Sequence, residues 1–409
     1  MKSHSILRDG HQIKLLKGGA EFFPELIRAL EAARSHVQLE TYIFDFHGDG
    51  AQVAAALERA GRRGVRVWVV VDGVGTPKLS EDWRVRFDQA GVEWRVYSPL
   101  GAMGLLIPSR WRRLHRKLCV IDGQLAFCGG INILDDLHDP KHGALKSPRL
   151  DYAVCAKGAL VQQVQETATQ LWWRMQAVRN VRQQNFPEAY SAFMAAGMHL
   201  PWIHDAQHAH GDTWVARAGL LLRDNLLNRG QIEKAYRRAI GLARHEIVIA
   251  NAYFLPGRKL RQALIHAAQR GVRVRLLLQG RYEYFMQYHA ARPVYRQLLE
   301  AGVEIYEYSE SFLHAKVAVI DASHEKPWAT VGSSNLDPFS LLLAREANVV
   351  VADAYFAKRL QEGLDQAMTF KSQRIMPQTL LQRSQLQRGM DWVAFGLMRF
   401  AIWLTGHRY

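Results

Sequence analysis

Cysteine is scarce in this sequence. Only three occur in 409 residues, Cys119, Cys128 and Cys155, each inside an apolar, strand-like run. A disulfide framework of the kind small secreted domains use is thereby excluded, and a reducing compartment is expected. Long hydrophobic runs are missing too. No uninterrupted apolar stretch reaches the ~20 residues that a spanning helix requires. The opening residues MKSHSILRDGHQIKLLKGG contain no apolar core of an export signal. Membrane contact is therefore expected to be peripheral, with the folded lobes in the cytoplasm. Acidic side chains are outnumbered: 38 Asp and Glu against 53 Lys and Arg give a formal net charge of +15. Such a charge attracts phosphate-rich polymers or anionic lipid surfaces without choosing between them. The 48% apolar and 22% charged content is that of a globular chain. Its length exceeds what one core fills, so two lobes are expected.

What the chain does have is an internal repeat. HVQLETYIF from His36 is echoed by HEIVIANAYF from His245, each reading as a buried strand after a helical stretch. RAGRRGVRVWVVVDG matches HAAQRGVRVRLLLQG, where a helix stops at Gly64 or Gly271 before a valine- or leucine-rich strand. AGVEWRVYS from Ala90 then matches AGVEIYEYS from Ala301. Alternating strands and helices, with strands apolar on both faces, predict an α/β fold with helices covering each sheet. The expected organisation is a first lobe over residues 1–177, a linker over 178–213, a second lobe over 214–370 and an apolar, basic tail over 371–409.

Chemistry-bearing residues repeat with the lobes. HRKLCVID supplies His115, Lys117 and Asp122, and GGIN supplies Gly129, Gly130 and Asn132. HAKVAVID supplies His314, Lys316 and Asp321, and GSSN supplies Gly332, Ser333, Ser334 and Asn335. Side chains two apart on a strand share a face, so each histidine and its lysine point the same way. Asp122-Gly123 between apolar runs is a hairpin signal that puts the aspartate at the strand's end. The turn beyond the return strand can aim backbone N–H groups at phosphate oxygens. A lone histidine would be read as a satisfied core residue; two copies at one spacing, at matching places in a repeat, are hard to attribute to packing.

The paired HxKxxxxD pattern resembles the phospholipase D superfamily over nearly the whole chain. LETYIF, VVDGVGTPKLS, HRKLCVIDGQLAFCGGIN, IANAYFLPG and HAKVAVID…ATVGSSNLDP narrow the likeness to the shorter bacterial cardiolipin synthases. The resemblance implies two similar α/β/α sandwich lobes sharing one active site at their interface. It implies transfer of a phosphatidyl group from one phosphatidylglycerol to another, giving cardiolipin and glycerol through a phosphohistidine. Phosphodiester exchange needs a nucleophile, a proton donor for the departing alkoxide and positive donors around the non-bridging oxygens. One histidine attacks and the other carries the proton, with Lys117, Lys316, Asn132 and Asn335 on the oxygens and Gly130 and Ser333 in the supporting turns. No metal and no cofactor is expected. Asp122 and Asp321, grouped with the catalytic motif, are expected to act as supports. In the resembling family carboxylates at the places of Asp151, which opens DYAVC, and Glu346, which opens EANVVV, hydrogen-bond the histidines. The symmetric motifs leave the nucleophile open; the resemblance favours His115.

Two segments carry a lipid reading. WVAFGLMRFAIWL, residues 392–404, is too short to span and apolar on nearly every helical face, so it either caps a lobe or dips into lipid. PLGAMGLLIPSRWRR, residues 99–113, is either a lipid-contacting lip or a loop on the core. His199, His204, His208 and His210 in the linker can in principle hold zinc, but a solvated loop accounts for them better. The expected partner is anionic phospholipid at the inner face of a bacterial inner membrane, with no nucleic acid. The alternatives are a hydrolase or phosphatidylserine synthase using the same motifs, a nuclease of the same chemistry, and last a non-catalytic membrane-binding protein.

Overall fold

Segments rich in valine, leucine and isoleucine form the central strands of both halves in the computed structural model. It describes residues 7–76, 78–101, 108–140, 142–197, 216–224, 228–281, 285–337, 344–378 and 384–404. Two compact units are present, Met1–Asp135 with Ala153–Leu220 and Asp136–Tyr152 with Leu221–Tyr409.

The first unit alternates β1 (Arg8–Lys17), α1 (Gly18–Ala32), β2 (His36–Thr41), α2 (Gly48–Arg62), β3 (Arg66–Asp72), α3 (Glu81–Ala90) and β4 (Val92–Tyr97). The hairpin β5 (Lys117–Ile121) and β6 (Leu125–Gly129) follows, then β7 (Tyr152–Lys157), α4 (Ala159–Arg182) and α5 (Phe186–Gly197). Residues 178–197, expected in the linker, are thus mostly helical, because α4 keeps an apolar stripe through Leu171 and Trp172 and continues past it. The strands lie in the order β4-β3-β2-β5-β6-β7-β1. β2, β3 and β4 run parallel, while β5 is antiparallel to β2 and to β6. Burial on both faces explains the unbroken apolar runs. Val67, Val69 and Val71 of β3 enter a core with Phe23 and Leu26 of α1 and Val53 and Leu57 of α2. Trp68 and Val70 enter a second core with Leu171 and Trp172 of α4, where the two indoles stack at 4.6 Å.

The second unit repeats this order. β8 (Ala216–Arg223) leads to α6 (Gln231–Leu242), β9 (Glu246–Asn251), α7 (Arg258–Gln269), β10 (Arg273–Gln279), α8 (Phe285–Glu300) and β11 (Glu304–Tyr308). After β12 (Lys316–Ile320), β13 (Trp328–Gly332), β14 (Ala344–Ala352) and α9 (Ala354–Phe370) come β15 (Ser372–Ile375) and α10 (Gln385–Leu404). Its strands lie as β15-β11-β10-β9-β12-β13-β14; β11 to β14 match the first unit's β4-β3-β2-β5-β6-β7, and β15, from residues of the expected tail, is added at the edge. Leu260 and Leu264 of α7 are fully buried on one side, and Leu360 and Leu364 of α9 on the other.

Each motif aspartate closes its strand. Asp122 (φ 52) and Gly123 (φ 66) adopt the left-handed conformations of a tight hairpin turn, and Gln124 N–H donates to Ile121 O at 3.0 Å. The Asp122 carboxylate accepts from the backbone N–H groups of Arg34, Ser35 and His36 at 2.8–2.9 Å. Asp321 (φ 50) does the same for Arg244, His245 and Glu246. Both aspartates therefore pin the start of the neighbouring antiparallel strand, β2 or β9, at the end of the motif strand away from the histidine. Burial pushes both carboxyls up, but the backbone donors together outweigh it and hold both below the usual carboxylate range. A depressed folded value means the stabilisation is complete above the ordinary pKa of about 4 and is lost as pH falls through the lower folded value. Asparagine tolerates the left-handed backbone, so Asp321→Asn isolates the charge. It is expected to lower stability by about 1–3 kcal/mol near neutral pH. In urea unfolding the gap to the parent protein should close as pH drops below about 4; a gap independent of pH would contradict the assignment.

Candidate active site

In the first unit, pairing of β5 with β2 and β6 places Lys117 opposite Gly129. Lys117, 5% exposed, donates from Nζ to the His115 carbonyl at 2.6 Å, which anchors the ammonium beside the histidine. His115 itself is half-buried. The Tyr42 ring lies 5.1 Å from the His115 ring and 5.5 Å from Lys117 Nζ. Gly130 is buried directly after β6. Asn132 Oδ1 accepts from Ile43 N–H at 3.1 Å, so the turn after β6 is fastened to the loop after β2. Behind the motif, on the α4 side of β5, buried Arg116 pairs with buried Glu40 and donates to Thr167 O.

The second unit builds the same pattern with more of its hydrogen bonds visible. Lys316, fully buried, donates from Nζ to the His314 carbonyl. Ser333 Oγ donates to Glu346, and Ala347 N–H donates to Ser333 Oγ at 3.1 Å. Gly332 permits this closeness: a Cβ there would sit 2.2 Å from Asn348 Cγ and 2.6 Å from Ala347 O. Leu336 N–H donates to Asn251 Oδ1 at 3.1 Å, the counterpart of the Asn132 fastening with the asparagine supplied by the other strand. Asn335 is 2% exposed, and its Oδ1 has no partner among the described residues. A buried amide end left unmatched is costly unless a ligand completes it.

His314 is the histidine with a visible orienting group. Its Nδ1 lies 2.6 Å from Asp151 Oδ2, with the imidazole side chain 24% exposed and the carboxylate 4% exposed. A carboxylate only accepts, so Nδ1 carries the proton and Nε2 is the basic nitrogen of the neutral ring. The other Asp151 oxygen accepts from Tyr152 N–H at 2.8 Å. The approach of this strand is fixed by backbone bonds, Leu150 N–H to Phe312 O and His314 N–H to Leu150 O, both 2.9 Å. Asp151 thus follows the first motif in sequence yet serves the second histidine, which spacing cannot show. Glu346 is fully buried beside Ser333. Gln279 Oε1 accepts from Leu313 N–H at 3.2 Å, fixing the residue before His314.

Sequence reasoning left out Tyr42, Arg116, Glu40 and Gln279. Tyr42 and Glu40 stand in the quoted LETYIF string, but periodicity there reports only a strand. In the 99–113 segment, Arg113 pairs with buried Asp72 at 3.0 Å and fastens the loop to its own unit, while Arg110 donates to Leu100 O at 2.6 Å within the loop. Leu105 and Leu106 lie outside the described residues, as do His199, His204, His208 and His210. The three cysteines are buried and free. Burial pushes their thiols up, to about 12 for Cys128 and Cys155, so they are packing residues and not nucleophiles.

Comparison with known proteins fits this arrangement. The family model described as cardiolipin synthase, PLD-like domain, matches residues 26–172 and 236–368, once in each half. A cardiolipin synthase B of Escherichia coli K12 is 33% identical over 98% of this chain and 92% of its own length. The Salmonella typhi protein of the same name is 35% identical over the same shares. The crystal structure of a phosphatidylserine synthase from Haemophilus influenzae Rd KW20 superposes with a TM-score of 0.67 over 96% of this chain and 94% of its own, at 12% identity. That likeness establishes the fold. With both halves matched and the identity running along almost the entire chain, the protein belongs to the cardiolipin synthase family of phospholipase D-like enzymes.

Proposed function

We propose that the protein makes cardiolipin, transferring a phosphatidyl group from one phosphatidylglycerol to the glycerol hydroxyl of a second and releasing free glycerol. The observation that carries the reading is His314, partly exposed and held by Asp151 in the tautomer that leaves Nε2 for chemistry. A carboxylate on Nδ1 suits the histidine that spends part of the cycle as imidazolium. In the proposed sequence His115 Nε2 attacks phosphorus, the bond to the glycerol headgroup breaks, and His314 gives its proton to the departing alkoxide. His314 then takes the proton of the second lipid's hydroxyl, whose oxygen displaces the His115 imidazole. Lys117, Lys316 and the Asn335 amide carry the charge on the non-bridging oxygens. Glu346 is assigned the supporting role in the first half that the repeat gives Asp151 in the second.

The site is proposed to work at a membrane surface reached from outside the bilayer. Among the described residues no helix is long and apolar enough to cross a membrane. α10 supports a docking role and shows why the sequence left two readings open. One stripe, Asp391, Ala394 and Met398, is buried, and Asp391 pairs with buried His289 of α8 at 2.5 Å. The opposite stripe exposes Trp392, Val393, Leu397 and Phe400, each by more than half. The helix therefore caps its unit and still presents an apolar face of the kind that enters a headgroup layer. Location at the cytoplasmic face of the inner membrane belongs to the same proposal.

Four outcomes follow. Purified protein with labelled phosphatidylglycerol vesicles should yield cardiolipin and glycerol; phosphatidic acid alone would make it a hydrolase, and DNA cleavage without lipid turnover a nuclease. His115→Ala and His314→Ala should each reduce exchange by at least about 10⁴-fold, and full activity in either would exclude the two-histidine scheme. Asp151→Asn should lower kcat about 10²- to 10⁴-fold while KM and melting temperature hold, whereas a merely structural role would lower melting temperature with activity. Trp392→Glu with Leu397→Glu should weaken vesicle partition at least about tenfold without unfolding, since each buried apolar side chain contributes about 1.5–3 kcal/mol. Unchanged partition would remove α10 from the membrane contact.

A further inference from the structure

The repeat makes each half a control for the other, and the outer helices are where the halves diverge. In the first unit the cations of α1 and α2 are neutralised. Arg28 and Lys14 meet Glu25, Arg59 and Arg63 meet Glu31, and Arg62 meets Glu58. Arg63 also donates to Leu30 O, and its counterpart Arg270 donates to Ile240 O at 3.1 Å. That shared bond, with Ala33 matching Ala243 and Gly64 matching Gly271, fixes the correspondence of the helices. Carried along it, Glu25, Glu31 and Glu58 fall opposite Ala235, Gly241 and Ile265. All three carboxylates are gone from the second unit. New cations stand there as well: Lys234 and Arg237 replace Pro24 and Ile27, and Arg258 and Lys259 replace Ala51 and Gln52, while Arg238 keeps the place of Arg28.

The result is a groove of about 810 Å³ between α6 and α7, lined by Lys234, Arg237, Arg238, Arg258, Lys259 and Arg270, with no carboxylate in its lining. Among the described residues none of the first five forms an ion pair. Like charges so close cost stability; Lys234 and Arg238 stand at i,i+4, where repulsion is direct. An arrangement that costs the free protein is explained by an anionic partner that repays it. Leu242, 69% exposed at the end of α6 beside Gly241 of the lining, favours a lipid surface over a nucleic acid backbone. An aliphatic side chain gains nothing from a phosphodiester chain and inserts among acyl chains.

We propose that the α6–α7 groove is a docking surface for the phosphate headgroups of an anionic bilayer, separate from the histidine site and from the apolar face of α10. It rests on the lipid reading above for the choice of partner. The test uses the full chain and the variant Arg237→Gln, Arg238→Gln, Arg258→Gln, Lys259→Gln. Partition is read by co-flotation with vesicles of phosphatidylcholine alone or mixed equally with phosphatidylglycerol, across a salt series. Cations near an anionic surface act additively, so the variant should lose about 10²- to 10³-fold in phosphatidylglycerol-dependent partition and most of its salt dependence. Turnover of phosphatidylglycerol dispersed in detergent should stay within about twofold and melting temperature should hold, because no substituted residue belongs to the proposed reaction. The charge-neutral control Glu31→Gln with Arg59→Gln should partition like the parent.

Parent-like partition of the quadruple variant would overturn the proposal, as would an equal loss on neutral vesicles. Preference of the parent for duplex DNA over anionic vesicles at equal phosphate, abolished in the variant, would overturn it in favour of nucleic acid. If the parent turned over no lipid yet the variant still lost anionic partition, the proposed reaction would fail while the docking surface stood.

Discussion

An imidazole can attack phosphorus or carry a proton only when one ring nitrogen is reserved for the work, and in the proposed reaction the buried carboxylate of Asp151 makes that reservation for His314. The 2.6 Å contact of Asp151 with His314 Nδ1 depends on a chain of constraints. Asp151 reaches the ring because Leu150 exchanges backbone bonds with Phe312 and His314, and its second oxygen is held by Tyr152 N–H. Lys316 is buried against the same histidine's carbonyl, and the turn carrying Asn335 is fastened through Ser333 to Glu346. Loosening any of these would let the ring rotate or the cation drift, and a misplacement of about 1 Å is enough to cost a large part of the rate.

The HxKxxxxD pattern divides its labour along the strand. Histidine and lysine sit at one end, where the site is. The aspartate sits at the other, in a left-handed turn, spending its carboxylate on three consecutive backbone N–H groups of the next strand. Its place in the motif reflects register: it locks the strand that positions the histidine. The first unit reinforces its strand once more with the buried Arg116–Glu40 pair, and the second has Ala315 and Ala250 at those places. The two halves therefore share the histidine, lysine and aspartate of the motif while their supports differ.

Much of this was legible beforehand. The repeat, the hairpin at Asp122-Gly123 and the doubly covered strands follow from period and turn chemistry, and the structure has them in that order. The pairing of Asp151 with the later histidine was not legible, because the segment 136–152 packs with the second unit and sequence distance gives no sign of it. Nor could periodicity show that the apolar stretch from Trp392 to Phe400 splits into a buried and an exposed stripe. Both sides of α10 are apolar, and only the Asp391–His289 pair tells them apart. The α6–α7 groove was hidden for a different reason: the net charge of the chain averages over two matching helix pairs, α1–α2 with its cations paired and α6–α7 with its groove cations not.

In the proposed reaction a histidine of this chain becomes covalently bonded to the transferred phosphatidyl group. Acid-quenched reaction with phosphatidylglycerol labelled in its phosphate, followed by digestion under alkaline conditions, tests it directly. Label should appear on the peptide carrying His115 as an acid-labile phosphoramidate and be absent from His115→Ala, with less discharge in His314→Ala than in the parent. Rapid turnover with no labelled peptide at any time point, or label on a serine hydroxyl, would contradict the account.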